Sequence, residues 1–168
     1  MKLILENWRT YLDEVEAFDD FANTPEKIEK SLQYYYREHA PSSGKRKDFG
    51  EWMGNQLAVF EAPENNMFFF VVDKNDSPLA YIAVAPFRES YAVGAMLKKP
   101  DEKSFYQTDF YEKVMEVLGK GSLYSDSKQT TGGKGIWKRF PNKEKVDTED
   151  EDGRDEEDEP RWRWRLSK

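Results

Sequence analysis

Between residues 3 and 18, "LILENWRTYLDEVEAF", apolar side chains recur every three or four positions, at Ile4, Trp8, Tyr11, Val15 and Phe18. That period matches one face of an α-helix. A second helical pattern runs through "EKIEKSLQYYYREHA", with Ile28, Leu32 and Tyr35 or Tyr36 on its inner face. Thr24 and Pro25 precede it as an N-cap and a proline at the first helical position. Pro41-Ser42-Ser43-Gly44 ends this helix, and "GKRKD" reads as a basic loop.

After residue 55 the period shortens. "QLAVFEA", "NNMFFFVVDKND", "SPLAYIAVAPF" and "ESYAVGAMLKK" read as successive strands. The unbroken apolar run Phe68 to Val72 predicts a sheet covered on both faces, because a half-exposed strand would alternate. Pro100-Asp101 breaks the pattern. "SFYQTDFYEKVMEVLGK" then reads as a helix with Phe110, Val114 and Val117 or Leu118 inward and Gly119 just past its end. "GSLYSD" is a strand and "TGGKGIWKRF" a short helix. The closing "RWRWRLSK" alternates at period two, which predicts a strand with Trp162, Trp164 and Leu166 on a buried face. Arg161, Arg163 and Arg165 fall on an opposite, cationic face.

Charge alters this picture in one place. The net charge is −7, yet residues 147–159, "DTEDEDGRDEEDE", hold ten acids and one arginine. The acidity is therefore local, and the tract reads as a solvated, self-repelling loop. The 168 residues suit one domain: N-terminal helices and basic loop over 1–55, a core over 56–146, the acidic loop over 147–159 and a terminal strand over 160–168.

Composition also removes several chemistries. With no cysteine, there is no disulfide, thiolate metal site or cysteine nucleophile. His39 is the only histidine, so a multi-histidine zinc site is excluded, and its place near a helix end suits a structural role. No metal site is expected. No segment approaches the roughly 20 apolar residues of a membrane helix. "MKLILENWR" turns polar too soon for a secretion signal. A reducing cytoplasm fits these features. Gly133-Lys134 resembles the end of a phosphate-binding P-loop, but Lys128 replaces its first glycine and Gly135 its magnesium-binding hydroxyl.

The order of elements is two helices, a run of antiparallel strands, a helix, a strand, a short helix and a final strand. Over residues 56–168 this resembles the GNAT (N-acetyltransferase) superfamily. "FFFVVDKNDSPLAYIAVAPF" looks like its central hairpin, and "SFYQTDFYEKVMEVL" like the helix after the cofactor strand. "SLYSDSKQTTGGKGIWKRF" looks like the strand and helix of its asparagine and tyrosine signature, and "RWRWRL" like its last strand. The "LYSD…IWKRF" pattern and the arginine- and tryptophan-rich terminus resemble GNAT-like proteins of tailed bacteriophages. "ENWRTYL" is similar to the opening of some phage proteins.

The resemblance implies an α+β fold: a mixed, mostly antiparallel sheet flanked by helices, with two further helices at the N-terminus. It implies transfer of an acyl group from acyl-CoA, acetyl-CoA in the first instance, to a small-molecule or protein amine in a host bacterial cytoplasm. The cofactor would lie in a splayed gap near residues 92–99, held by Met96, Leu97, Lys98, Lys99, Lys103 and Ser104. The family grips pyrophosphate with a glycine-rich loop before its central helix, whereas "MLKKPDEKSFY" has no glycine and Lys98, Lys99 and Lys103 supply point charges instead. The family's tyrosine acid aligns with Trp137, a core residue by type. Acid–base work then passes to Tyr124 or Tyr106 as acid and to Asp126, Glu61 or Glu89 as base, with Asp126 and Tyr124 the leading pair.

Those departures motivate a second reading: a catalytically inactive scaffold that binds a host or virion protein, with Trp8 and Tyr11 available to dock in a groove. Nucleic-acid binding through "SSGKRKD" and the terminal arginines ranks third, because the acidic tract adjoins those arginines.

Overall fold

The computed structural model describes residues 24–127, 131–154 and 160–168, without the side chains of 131–133. The amphipathic pattern over 3–18 and the docking role of Trp8 and Tyr11 lie outside the described residues.

Helix α1 (Pro25–Tyr34) begins as its sequence requires: Thr24 Oγ1 accepts a hydrogen bond from Lys27 N at 3.3 Å, and Pro25 occupies the first turn. The helix ends within Pro41-Ser42-Ser43-Gly44, as expected, with Pro41 inside its last turn and Gly44 as the cap. The chain widens into one π-turn (Tyr35–His39), in which Ala40 N donates to Tyr35 O, and closes with Ala40–Ser43. The wider turn accommodates Pro41, which has no N–H to offer a regular ladder.

Among the described residues, eight strands form one sheet. They are β1 (Lys45–Trp52), β2 (Asn55–Glu61), β3 (Met67–Val72), β4 (Pro78–Phe87), β5 (Ser90–Lys98), β6 (Ser122–Tyr124), β7 (Lys143–Asp147) and β8 (Trp162–Ser167). Their order is β1-β2-β3-β4-β5-β6-β8-β7. Every neighbouring pair is antiparallel except β5 and β6. Helices α2 (Gln107–Leu118) and α3 (Thr131–Lys138) flank β6 in the chain, and a short α4 (Glu149–Asp152) follows β7. The fold is α+β, a mixed and mostly antiparallel sheet flanked by helices, as expected.

Both faces of the central strands are covered, as the Phe68–Val72 run requires. Val59, Phe69, Val71 and Ile82 pack with Phe110 and Val114 of α2 and with Ile136 and Trp137 of α3. Phe60, Phe68, Phe70 and Tyr81 pack on the other face with Leu32, Tyr35 and Tyr36 of the first helix. Tyr35 and Phe70 each stack on Tyr81, with ring centroids 4.9 and 4.8 Å away. The first helix is tied to the β3–β4 hairpin through Asp76, which accepts from the Tyr36 hydroxyl and from Arg37. Burial and the Asp76 bond push the Tyr36 hydroxyl up to about 12, so it remains a donor.

Three expectations are corrected. "GKRKD" is not a loop: it opens β1, an edge strand whose residues 45–51 are exposed. Edge strands are commonly charged, which hides their period from a sequence reading. The acidic tract is not wholly a loop either. Asp147 ends β7, Glu149–Asp152 form α4, and Asp152 is buried. The terminal strand has no free cationic face, because Arg163 is buried and pairs with that same Asp152.

Gly44 joins the first helix to β1 in extended conformation, pressed against the Glu61 carbonyl so closely that a Cβ would collide with it. Gly44→Ala should destabilise the fold by about 1–3 kcal/mol, since backbone must move to make room. Urea denaturation measures this, and an unchanged midpoint would contradict the packing described.

Candidate functional site

Strands β5 and β6 run parallel, and only Ala92 and Tyr124 face each other in register. Beyond that pair they part. Two local features separate them. Ala83 faces Ala95 and Val84 faces Val93 across β4 and β5, so Gly94 is an extra, bulged residue in β5. The chain after β6 stays with β8, because Ser125 N donates to Trp164 O at 2.8 Å and Trp164 N to Ser125 Oγ at 2.9 Å. The result is a wedge. Gly94 to Lys98 lie on one side with no strand partner there among the described residues, and Ser125 to Ser127 lie on the other.

The closed end is locked by side chains. Ser90 Oγ donates to Ser122 O, and Glu89 Oε1 accepts from the Tyr124 hydroxyl at 2.8 Å and from Ser122 Oγ at 3.2 Å. Arg165 approaches Glu89 at 3.5 Å and bonds Glu144 at 3.0 Å. Burial, then the Glu89 bond, raises the Tyr124 hydroxyl above its ordinary range. Its own backbone N–H, then the Tyr124 hydroxyl, hold the Glu89 carboxyl below the usual range. Tyr124 is thus protonated and engaged at the closed end, whereas Asp126 follows β6 on the open side. Arg163 links their surroundings: it lies 4.0 Å from Asp126 Oδ1 and 4.4 Å from the Phe87 ring, which is 5.0 Å from the Tyr124 ring.

Behind Asp126 lies an ion pair. Arg163 Nε and Nη2 donate to the two Asp152 carboxylate oxygens at 2.7 and 2.8 Å, and Nη1 donates to Ser125 O at 2.8 Å. The guanidinium also lies 4.4 Å from the Phe87 ring centroid and 4.0 Å from Asp126 Oδ1. Both paired side chains are nearly inaccessible, at 6% and 3%. Burial alone would raise the Asp152 carboxyl; the hydrogen bonds and charge of Arg163 outweigh it and hold the carboxyl below the usual range.

The start of α2 is built differently from the expected phosphate cradle. Ser104 N donates to Glu102 Oε1 at 2.7 Å and Tyr106 N to Asp109 Oδ2 at 2.8 Å, so carboxylates of the chain itself occupy these donors. Lys98 Nζ donates to Glu102 O at 2.6 Å and lies 5.3 Å from the Phe105 ring centroid. Lys99 reaches Glu29 at 3.5 Å. Ser104 Oγ accepts from Asn55 at 3.1 Å, and Lys103 is exposed. Met96 packs on the α2 face and Leu97 in the α1 face, so these neighbours point to opposite sides of the sheet. Trp137 is a core residue, edge-on to Tyr111. Glu61 pairs with Lys47 on the edge strand.

The sequence reading missed the Gly94 bulge, although a glycine inside a strand pattern signals one. It also missed the pairing of Arg163 with Asp152, for which no local signal exists: ten residues separate them in the sequence. A separate groove of about 410 Å³ runs along α2, lined in part by Trp52, Met53, Glu112 and Phe140, and none of the residues chosen from sequence lines it.

Arg163→Met leaves Asp152 buried without its partner and should cost about 3–5 kcal/mol, whereas Arg163→Met with Asp152→Leu should cost much less. Because the folded carboxyl is depressed, its contribution is present above the ordinary value of about 3.9 and lost as pH falls through the folded one. The loss of stability in Asp152→Asn should therefore shrink below about pH 4. Denaturant titrations from pH 7 to pH 3 test both, and equal single and double variants would contradict the pairing.

No protein-family model matches the chain, and no curated protein does. Among solved structures, one from Bacteroides thetaiotaomicron assigned to the GNAT family of acetyltransferases aligns at 16% identity, with a TM-score of 0.41. The alignment covers 62% of this chain and 62% of that one.

Proposed function

We propose that the chain binds an acyl-CoA thioester, acetyl-CoA in the first instance, in the β5–β6 wedge and transfers the acyl group to an amine. The observation behind this reading is the parted parallel pair. An extended ligand bearing amides can bond to a strand edge that lacks a neighbour, as an added strand does. The β5 edge from Gly94 to Lys98 offers that backbone, with Met96 and Leu97 beside it. The residues present therefore suit the ligand's arm.

A bound thioester would supply an activated acyl group. Asp126, on the opposite side of the gap, is the base that takes the proton from an attacking amine. Arg163 sits behind it with its charge already matched by Asp152, so it orients Asp126 without fully neutralising it. Tyr124 braces the closed end through Glu89. Lys98, Lys99, Lys103 and Ser104 border the path by which the ligand leaves the wedge.

A second reading has its own support. With carboxylates at the start of α2 and tryptophan in place of the expected acid, the scaffold suits a partner-binding role without catalysis. The phage setting, with an acceptor or partner in the host bacterium or the virion, rests on sequence resemblance alone.

Calorimetric titration of acetyl-CoA should give a dissociation constant of about micromolar order, near 8 kcal/mol. Asp126→Asn should leave that constant nearly unchanged and lower acetyl transfer to a panel of primary amines about 100-fold or more. No heat at millimolar acetyl-CoA would overturn the reading and favour the partner-binding one.

A further inference from the structure

Resting on the wedge reading, one physical question follows: what meets the anionic nucleotide end of the ligand where it emerges? The start of α2 is poorly suited, since Glu102 and Asp109 occupy the N–H groups of Ser104 and Tyr106 and add negative charge. Lys98 and Lys99 are engaged with Glu102 and Glu29. Lys103 is exposed but stands beside those carboxylates, and further cations come from α3 and the residue after it. Residues 131–140 hold Lys134, Lys138 and Arg139 and no acid. Arg139 reaches α2: its Nη1 lies 3.4 Å from Gln107 Oε1, and the Gln107 amide in turn lies 3.8 Å from Met96 Sδ on β5. Arg139 is thus two side-chain contacts from the wedge wall. It is exposed, and a guanidinium has five donors, so a long contact with Gln107 leaves capacity for a phosphate. Next to Gln107 stands Tyr106, whose surface is 73% exposed, far more than the rings around it. Gln107 thus has an exposed ring next to it in the chain and a guanidinium against its side chain, the two groups a nucleotide requires: a face for the base and a fork for its phosphates.

We propose that Arg139 and Tyr106 bind the nucleotide end of the ligand, Arg139 through a phosphate and Tyr106 by stacking on the base, in place of a backbone phosphate cradle. Arg139 holds the charge and Tyr106 the ring, while Gln107 keeps Arg139 turned toward the wedge.

The test compares acetyl-CoA with S-acetylpantetheine, which has the arm but no nucleotide, by calorimetry on the full chain. Wild-type protein should bind acetyl-CoA more tightly. Arg139→Gln should weaken acetyl-CoA about tenfold or more and leave S-acetylpantetheine unchanged. Tyr106→Ala should weaken acetyl-CoA about tenfold, and Tyr106→Phe should restore it. Both side chains are exposed, and thermal unfolding midpoints equal to wild type confirm intact folds. Acetyl-CoA binding that is indifferent to both substitutions would overturn this inference and leave the wedge reading standing. Absence of any acetyl-CoA binding by the wild type would overturn both.

Discussion

A strand can hydrogen-bond on two sides, and β6 shares its β5 side over a single residue pair. The rest of the candidate site depends on that limited commitment. On its other side β6 follows β8, and Ser125 extends the attachment through both its backbone N–H and its hydroxyl. The Gly94 bulge turns β5 away at the same level. The gap is therefore fixed by backbone pairing, with one parallel junction in an otherwise antiparallel sheet. Helix α2 connects β5 to β6 across that junction, α3 follows β6, and their apolar faces pack in one cluster on one side of the sheet.

Rigidity at the junction comes from burial on both faces and from one well-satisfied charge. Arg163 links α4, β8 and the end of β6, and its guanidinium has a partner in each direction: Asp152, Ser125 O and the Phe87 ring. A buried ion pair of this kind adds little net stability compared with apolar packing, because desolvation offsets its attraction. Its value is positional. It fixes where the chain leaves β6, and hence where Asp126 stands, by means of a residue from the acidic segment. That segment is thus partly structural, despite a composition that reads as solvated.

The central strands were legible because Phe68 to Val72 has only one physical solution, burial on both faces. The N-cap at Thr24 and the αL glycine at Gly119 were legible because local backbone chemistry alone decides them. β1 was not, since an edge strand needs no apolar face and its charges mimic a loop. β7 was missed for the same reason, with Lys143, Glu144 and Lys145 at the other edge. The alternation in "RWRWR" correctly gave a strand but not what covers each face, because Asp152 cannot be told from the other acids of its tract. At the site, the missing glycine loop was visible in sequence. That Glu102 and Asp109 fill its donors was not, as it depends on side-chain conformation.

The claim that the β5 edge receives an extended ligand is tested most directly by amide hydrogen exchange at Gly94 to Lys98, with and without saturating acetyl-CoA. The account predicts that exchange slows in this segment on addition of the ligand, while the antiparallel strands β2 and β3 are unchanged. Unaltered exchange at Gly94 to Lys98, with the ligand bound, would contradict it and place the binding site elsewhere on the molecule.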